Sequence, residues 1–345
     1  MKVFWILAVF ALAVSAVPIP EEERVNGENG WYVPQANGSY VWVSMEEGES
    51  MLEELEKQDE MEGRLSLVPV TFYLYTNLNP SKGQKISESA SLIRSSNFDA
   101  SNPTRFVIHR WIQSYTSGMN KDIRAAWLAR DKYNVIVVDW ARARSVDYAS
   151  SVAAVPKVGK KVASLINYLV EYHGLLLNTT EVSGHSLGAH VAGYTGKLVE
   201  NGKLHAIIGM DPALPLFSYK KTKKRLSSTD ANYVETIQTN VGMLGFLEPI
   251  GKTSFYPNGG KSQPGCGWDL TGVCDHERST TYYAESVSRN DYPSVKCSDY
   301  TSAVKNSCGS TYSSVNMGSQ TNAYVASGEY YVPVLSFSPH GYGNA

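Results

Sequence analysis

Cysteine is scarce in this chain of 345 residues: Cys266, Cys274, Cys297 and Cys308 all lie in the last quarter, so disulfides can staple only that end. Beyond the amino terminus no apolar run approaches the roughly 20 residues needed to span a bilayer. Internal repeats and low-complexity tracts are absent, which excludes solenoids and linker arrays. Neither sign of charge dominates: 31 Lys and Arg stand against 33 Asp and Glu, a net charge of −2. No nucleic-acid partner is expected.

Met1–Ala16 has the layout of a secretory signal: Lys2 is its only charge, Val3–Val14 is apolar, and Val14-Ser15-Ala16 offers small residues for cleavage. Pro18, Pro20 and Glu21-Glu22-Glu23 end the run before it can span a membrane. A secreted, extracellular chain follows, in which disulfides are admissible. Four cysteines allow three pairings, of which sequential neighbours are the simplest. Asn37-Gly38-Ser39 and Asn178-Thr179-Thr180 fit the glycosylation pattern.

Charge is unevenly distributed. Residues 17–64 hold thirteen acidic and three basic side chains. Within them, Glu46–Glu62 intersperses Met51, Leu52, Leu55 and Met61 among acids, predicting a short amphipathic helix or a disordered acidic tail. The segment reads as a solvated leader or as a pro-segment masking a basic body, with Gly63-Arg64 as a trypsin-like cutting site. Residues 65–345 then suffice for one large domain.

From Val68 onward, β-branched runs alternate with amphipathic ones. Strands are expected at Val68–Tyr75, Arg105–His109, Asn134–Trp140 and His205–Met210; the third is a near-continuous apolar run suited to burial on both faces. Val155, Val158, Val162, Leu165, Ile166 and Leu169 recur at helical spacing, with Lys157, Lys160 and Lys161 opposite. This alternation predicts an α/β fold, a mostly parallel sheet with helices on both faces.

Gly184-His185-Ser186-Leu187-Gly188 spells G-x-S-x-G between a strand-like stretch and the helix-like Ala189–Tyr194. In an α/β-hydrolase this context exposes a serine nucleophile at the top of the sheet; the bland alternative is a glycine-bounded turn. A serine hydroxyl needs a base, and the base an orienting carboxylate, arriving in the order Ser, acid, His. Of seven histidines only His276 and His340 follow Asp211. His340 lies in a terminal stretch whose composition predicts a flexible tail, which favours His276. Asp211 ends an apolar strand and is followed by Pro212; its competing role is a helix N-cap. Asp230, Asp269 and Asp275 are alternatives in polar or loop contexts. The oxyanion donors are expected at the backbone N–H of Leu187 and Trp111.

These residues closely resemble the pancreatic-type lipase family, in particular its secreted single-domain insect members. The matching motifs are Arg105–His109, Val138–Trp140, Gly184–His190, Met210–Ala213, Phe255–Gly260 and Cys274–Ser279, in family order. The resemblance implies an α/β-hydrolase that cleaves lipid carboxylic esters through an acyl-enzyme, with Ser186, Asp211 and His276 as triad and Trp111 and Leu187 as oxyanion hole. It also implies a lid closed by Cys266 and Cys274, and a bridge from Cys297 to Cys308. The substrate would be met as a lipid or at a lipid–water interface.

Four departures qualify this picture. Arg110 stands where the family usually has glycine, so the Trp111 donor is expected to point poorly and activity to be reduced; Arg110→Gly is then expected to raise turnover. A catalytically weak lipid-binding or storage protein is the alternative. The lid holds only seven residues between its cysteines, with Trp268 and Leu270 able to touch lipid; short lids accompany phospholipase A1-like or galactolipid-hydrolysing members. The family's calcium loop is replaced by the basic stretch Lys220–Asp230, in which only Asp230 stands out as a carboxylate, so no metal or other cofactor is expected. The chain stops soon after Tyr330–Leu335, so neither the C-terminal β-sandwich of the pancreatic enzymes nor colipase dependence is expected.

Overall fold

A computed structural model describes residues 19–61 and 68–343. The leader Met1–Ala16 and the Gly63-Arg64 cutting site lie outside the described residues. Strands β1 (Gly30–Pro34) and β2 (Tyr40–Ser44) form an antiparallel hairpin, followed by helix α1 (Met45–Met61). Next come β3 (Val70–Tyr75), β4 (Gln84–Ile86), α2 (Ala90–Arg94), β5 (Thr104–Ile108), α3 (Gly118–Arg130) and β6 (Asn134–Trp140). Then follow α4 (Tyr148–His173), β7 (Thr180–His185), α5 (Leu187–Leu198), β8 (Ala206–Met210), β9 (Tyr233–Ile237) and β10 (Thr253–Pro257). The last elements are α6 (Val273–Arg289), β11 (Val295–Lys296), α7 (Tyr300–Val304), α8 (Asn322–Val325) and β12 (Gly328–Val332).

Ten strands make one sheet in the order β11-β12-β10-β9-β8-β7-β5-β6-β3-β4. From β12 through β6 all neighbours are parallel, while β3, β4 and β11 pair antiparallel. Strands β5 to β8 are buried at every residue, as expected of a sheet covered on both faces. One face packs on α4 and α5 through Val158, Val162, Ile166 and Val191; the other packs on α3 and α6 through Ile123, Trp127, Tyr283 and Val287. Helix α4 exceeds its apolar run because the Asp147 carboxylate accepts a hydrogen bond from Ala149 N at one end and Gly174, at φ 75°, turns the chain left-handed at the other. Strand β5 lies between β6 and β7, so the winding reverses there and leaves a crevice at the carboxyl ends of β5 and β7.

Of the two readings of the acidic stretch, the structure shows the helix: α1 covers residues 46–61, and Met51, Leu52 and Leu55 pack against the main core. Upstream of α1, Trp31 and Val33 belong to that core. Burying each such side chain contributes about 1.5–3 kcal/mol, whereas the exposed Lys221–Glu49 ion pair at 2.6 Å is worth at most about 1 kcal/mol. Apolar contact therefore holds the acidic segment. One expectation is corrected: His340 is 3% exposed rather than part of a loose tail. Its Nδ1 meets Glu285 Oε1 at 3.1 Å and its Nε2 meets Arg278 Nη1 at 2.8 Å, so α6 pins the C-terminal stretch.

Candidate active site

The crevice gathers the ends of β5, β7 and β8. Ser186 follows β7 at φ 56° and ψ −119°, a sparsely populated conformation that turns strand into helix within one residue. The flanking glycines are required by contact. A Cβ on Gly184 would come within 2.1 Å of Gly188 O, and one on Gly188 within 2.4 Å of Ile108 O. Helix α5 therefore approaches β5 closely and begins at Leu187, whose N–H lies in the first turn without an intrahelical acceptor.

Asp211 follows β8, fully buried, at φ 41°. No helix starts after it, so the N-cap role does not apply. Its Oδ1 accepts from Thr239 N at 2.8 Å and Asn240 N at 3.1 Å. Its Oδ2 lies 2.5 Å from His276 Nδ1. Gly245 permits this enclosure, because a Cβ there would stand 2.3 Å from Asp211 Oδ1. With Nδ1–H donating to the carboxylate, Nε2 is the ring nitrogen left to accept a proton. His276 lies in the first turn of α6, anchored by the Cys266–Cys274 disulfide; Cys297 and Cys308 form the second bridge.

Ser186 and His276 line one cavity of about 230 Å³, together with Trp111 and Tyr148. The structure brings Asp211 and His276 into contact but forms no hydrogen bond between Ser186 Oγ and the imidazole among the described residues. Such bonds commonly tighten only when substrate is bound.

Beneath His276 lies His185, the variable residue of the serine motif, with ring centroids 4.4 Å apart. Burial, then the neighbouring His276 and Arg110, hold the His185 imidazole well below its usual range, hence neutral. Its Nε2–H donates to His276 O at 3.0 Å, fixing the backbone that carries the base. His190 is likewise kept neutral by burial, its pKa pushed down to about 3. It donates to Ala213 O at 2.7 Å and accepts from Leu226 N at 3.1 Å, fixing the segment after Asp211. Both histidines precede Asp211 in the chain and so fall outside the expected order for the base; their positioning contacts exist only in the folded chain.

The loop after β5 is tied from both sides. His109 Nδ1–H donates to Arg110 O at 2.9 Å, while its Nε2 faces Asp139 Oδ1 at 3.3 Å. Burial raises the Asp139 carboxyl, yet His109, Arg144 and the Tyr115 N–H outweigh it and leave it below its ordinary value. Trp111 Nε1 donates to Ser145 O at 2.6 Å. Ile112 N is taken by Ala143 O at 2.7 Å. The left-handed residue of this loop is Ile112, at φ 54°, and not Arg110. A left-handed backbone angle is therefore no reason for a glycine at position 110. Instead, the Arg110 guanidinium donates to Trp111 O at 3.0 Å and to Glu277 Oε1 at 2.6 Å.

A family model described as Lipase matches residues 40–334. This chain belongs to the lipase family. Among relatives, pancreatic triacylglycerol lipase of Cavia porcellus is 34% identical over 267 residues, covering 70% of this chain and 57% of its own length. Lipase member H-A of Xenopus laevis is 37% identical over 242 residues, covering 67% of this chain and 51% of its own. The chain thus spans little more than half the length of the curated relatives it matches. A solved esterase from Thermogutta terrifontis aligns with 50% of this chain and 68% of its own at 12% identity and a TM-score of 0.31, a likeness that carries no functional weight.

Two stretches that the sequence singles out are the basic loop Lys220–Asp230 and the loop between Cys266 and Cys274. Asp230 is held by Lys197 Nζ at 2.5 Å and by Ser227, so its residues do not fit a calcium site. Among the described residues no cluster of three His, Cys, Asp or Glu is placed to hold a metal. Asp275 accepts Gln263 N at 2.6 Å, and burial, then Asp269 and Asp211, push its carboxyl up to about 6. Asp269 accepts Asp275 N at 3.0 Å and Thr271 Oγ1 at 2.9 Å, within its own loop. In the loop between Cys266 and Cys274, Trp268 and Leu270 are 95% and 83% exposed. Neither lines the cavity; Thr271 and Val273 do. Among the described residues no helix is long and apolar enough to cross a membrane.

Proposed function

We propose that the protein is a secreted serine esterase that hydrolyses carboxylic esters of lipids. The observation that carries the reading is the buried Asp211–His276 contact at 2.5 Å beside a serine held at positive φ in the same cavity. His276 Nε2 takes the Ser186 Oγ proton as Oγ attacks the ester carbonyl carbon. The resulting oxyanion is held by the N–H groups of Leu187 and Trp111. The imidazolium returns its proton to the departing alcohol, leaving an acyl-serine. Water, deprotonated by the same nitrogen, then attacks the acyl carbon and restores Ser186. Asp211 keeps its charge throughout and stabilises the imidazolium.

Further parts of the reading rest on the family and on the short lid. Acylglycerols, phospholipids and galactolipids are the substrate classes, with phospholipase A1-like positional preference favoured by the seven-residue lid. Residues 65–345 are taken as the catalytic domain and 17–64 as an accessory segment docked on it after removal of residues 1–16. Asn37 and Asn178 are both exposed, as glycosylation requires.

A second reading, a catalytically weak lipid-binding protein, draws on the unbonded Ser186 hydroxyl and on a cavity of only about 230 Å³. Fluorophosphonate labelling separates the two. The esterase reading expects stoichiometric labelling that Ser186→Ala abolishes, and hydrolysis in a panel of triacylglycerol, phosphatidylcholine and galactolipid. Absence of both labelling and hydrolysis favours the binding protein.

A further inference from the structure

The wall of the catalytic cavity is only partly supplied by the disulfide loop, through Thr271 and Val273. Another part comes from the β1–β2 hairpin, more than 140 residues upstream of Ser186 in the sequence, whose tip residues Gln35, Ser39 and Tyr40 line the cavity with Ser186 and His276. We propose that this hairpin determines substrate size: it bounds the space for the acyl chain and selects esters with one short to medium chain. The inference rests on the serine-esterase reading above.

Three anchors hold the hairpin, each on a loop that also shapes the site. Trp31 Nε1 donates to Phe217 O at 3.1 Å, on the segment following Asp211. Asn26 Nδ2 donates to Gly242 O at 3.0 Å and Met243 O at 3.2 Å, beside the amides that grip the Asp211 carboxylate. Tyr40 OH donates to Thr271 O, on the disulfide loop just before α6. Burial, then Asp269, push the Tyr40 hydroxyl up to about 12, so it remains a donor across the working range of pH. The tip itself is shaped locally, Gln35 N donating to Ser39 O at 2.8 Å and Asn37 Oδ1 accepting from Ser39 N at 3.0 Å.

Size decides the chemistry admitted. At about 230 Å³ the cavity falls below the range of about 300–1,000 Å³ typical of sites for drug-sized molecules. Pro34, Ile112, Pro215 and Leu244 give it an apolar lining suited to a hydrocarbon chain. A long chain must displace the hairpin or leave past it, and the latch opposing that movement is Tyr40 on Thr271.

The test compares p-nitrophenyl acetate, butyrate, octanoate and palmitate on the full chain and on two variants. Tyr40→Phe keeps the ring and removes the latch; Gln35→Trp adds bulk at a half-buried position with room toward solvent. The expected result is a profile in the unaltered protein that peaks at butyrate or octanoate. Tyr40→Phe should raise the palmitate-to-butyrate ratio of kcat/KM severalfold, and Gln35→Trp should lower the octanoate-to-acetate ratio about tenfold. Chain-length profiles unchanged in both variants, with Ser186 still labelled by fluorophosphonate, overturn the hairpin's role alone. No labelling and no acetate hydrolysis in the unaltered protein overturn the esterase reading and this inference with it.

Discussion

The Asp211 carboxylate and the His276 imidazole meet at 2.5 Å across 65 residues of sequence, in a pocket where Asp211 has no exposure to solvent. Two backbone amides grip the other carboxylate oxygen. The acid is thus fixed by the chain of β9 and its following loop, and it presents its other oxygen to Nδ1. That arrangement selects the tautomer in which Nε2 is available as base.

Asp211→Asn should leave the fold intact while donating a hydrogen to Nδ1 and reversing the tautomer. The expected loss in kcat is about four orders of magnitude. Steady-state hydrolysis of a short ester, alongside an unchanged circular dichroism spectrum, checks it. A loss smaller than tenfold would show that His276 does not depend on this carboxylate.

Ser186 sits at φ 56° and ψ −119°, a conformation that costs a residue with a Cβ about 1–3 kcal/mol. Ser186→Gly relieves that strain and removes the hydroxyl. Hydrolysis should vanish while thermal unfolding shifts upward, by about 1 kcal/mol or more in stability. An unchanged or lower melting temperature argues against stored strain at the turn.

Arg110 spans from the loop after β5 to the residue following His276. Both side chains keep some solvent contact, so the pair is worth about 1 kcal/mol, or about fivefold in rate if the loop donor depends on it. Arg110→Gly should therefore lower kcat by about that factor with KM little changed. A rise in turnover would instead show that arginine misdirects the Trp111 N–H.

Glu235, on β9, is fully buried and pushed up to about 7 by desolvation, despite hydrogen bonds from Tyr233 OH at 2.7 Å, Gly318 N at 2.8 Å and Asn322 Nδ2 at 3.1 Å. An acid with a raised folded-state value binds its proton more tightly in the folded protein, so stability declines as pH rises from about 4.5 to about 7. The total is on the order of 1–3 kcal/mol. Glu235→Gln should flatten this slope, measured by urea unfolding at pH 5 and pH 8. An equal slope in both proteins assigns the pH dependence elsewhere.

Much of the architecture was legible in the amino-acid order because it is local. Period-2 and unbroken apolar runs marked β3, β5, β6 and β8, and 3.6-residue recurrence marked α4, since each pattern reflects which side of one element faces the core. Two glycines around Ser186 announced a turn that only they permit. Chain order narrowed the base to His276 and His340, local context favoured His276 and a strand-end Asp211, and the fold places those two in contact.

Tertiary structure decided what depends on partners from other elements. His340, polar and near the end of the chain, looked loose until Glu285 and Arg278 of α6 enclosed it. Arg110 looked like a misplaced glycine, yet its ordinary backbone angle and the Glu277 carboxylate 167 residues away make it a tie between two loops. The acidic segment looked like a solvated leader because charge dominates its composition, whereas Trp31 and Val33 bury it in the core and carry a hairpin to the cavity wall. Periodicity records how one segment meets its own surroundings. Which distant segment supplies those surroundings is settled only when the whole chain packs.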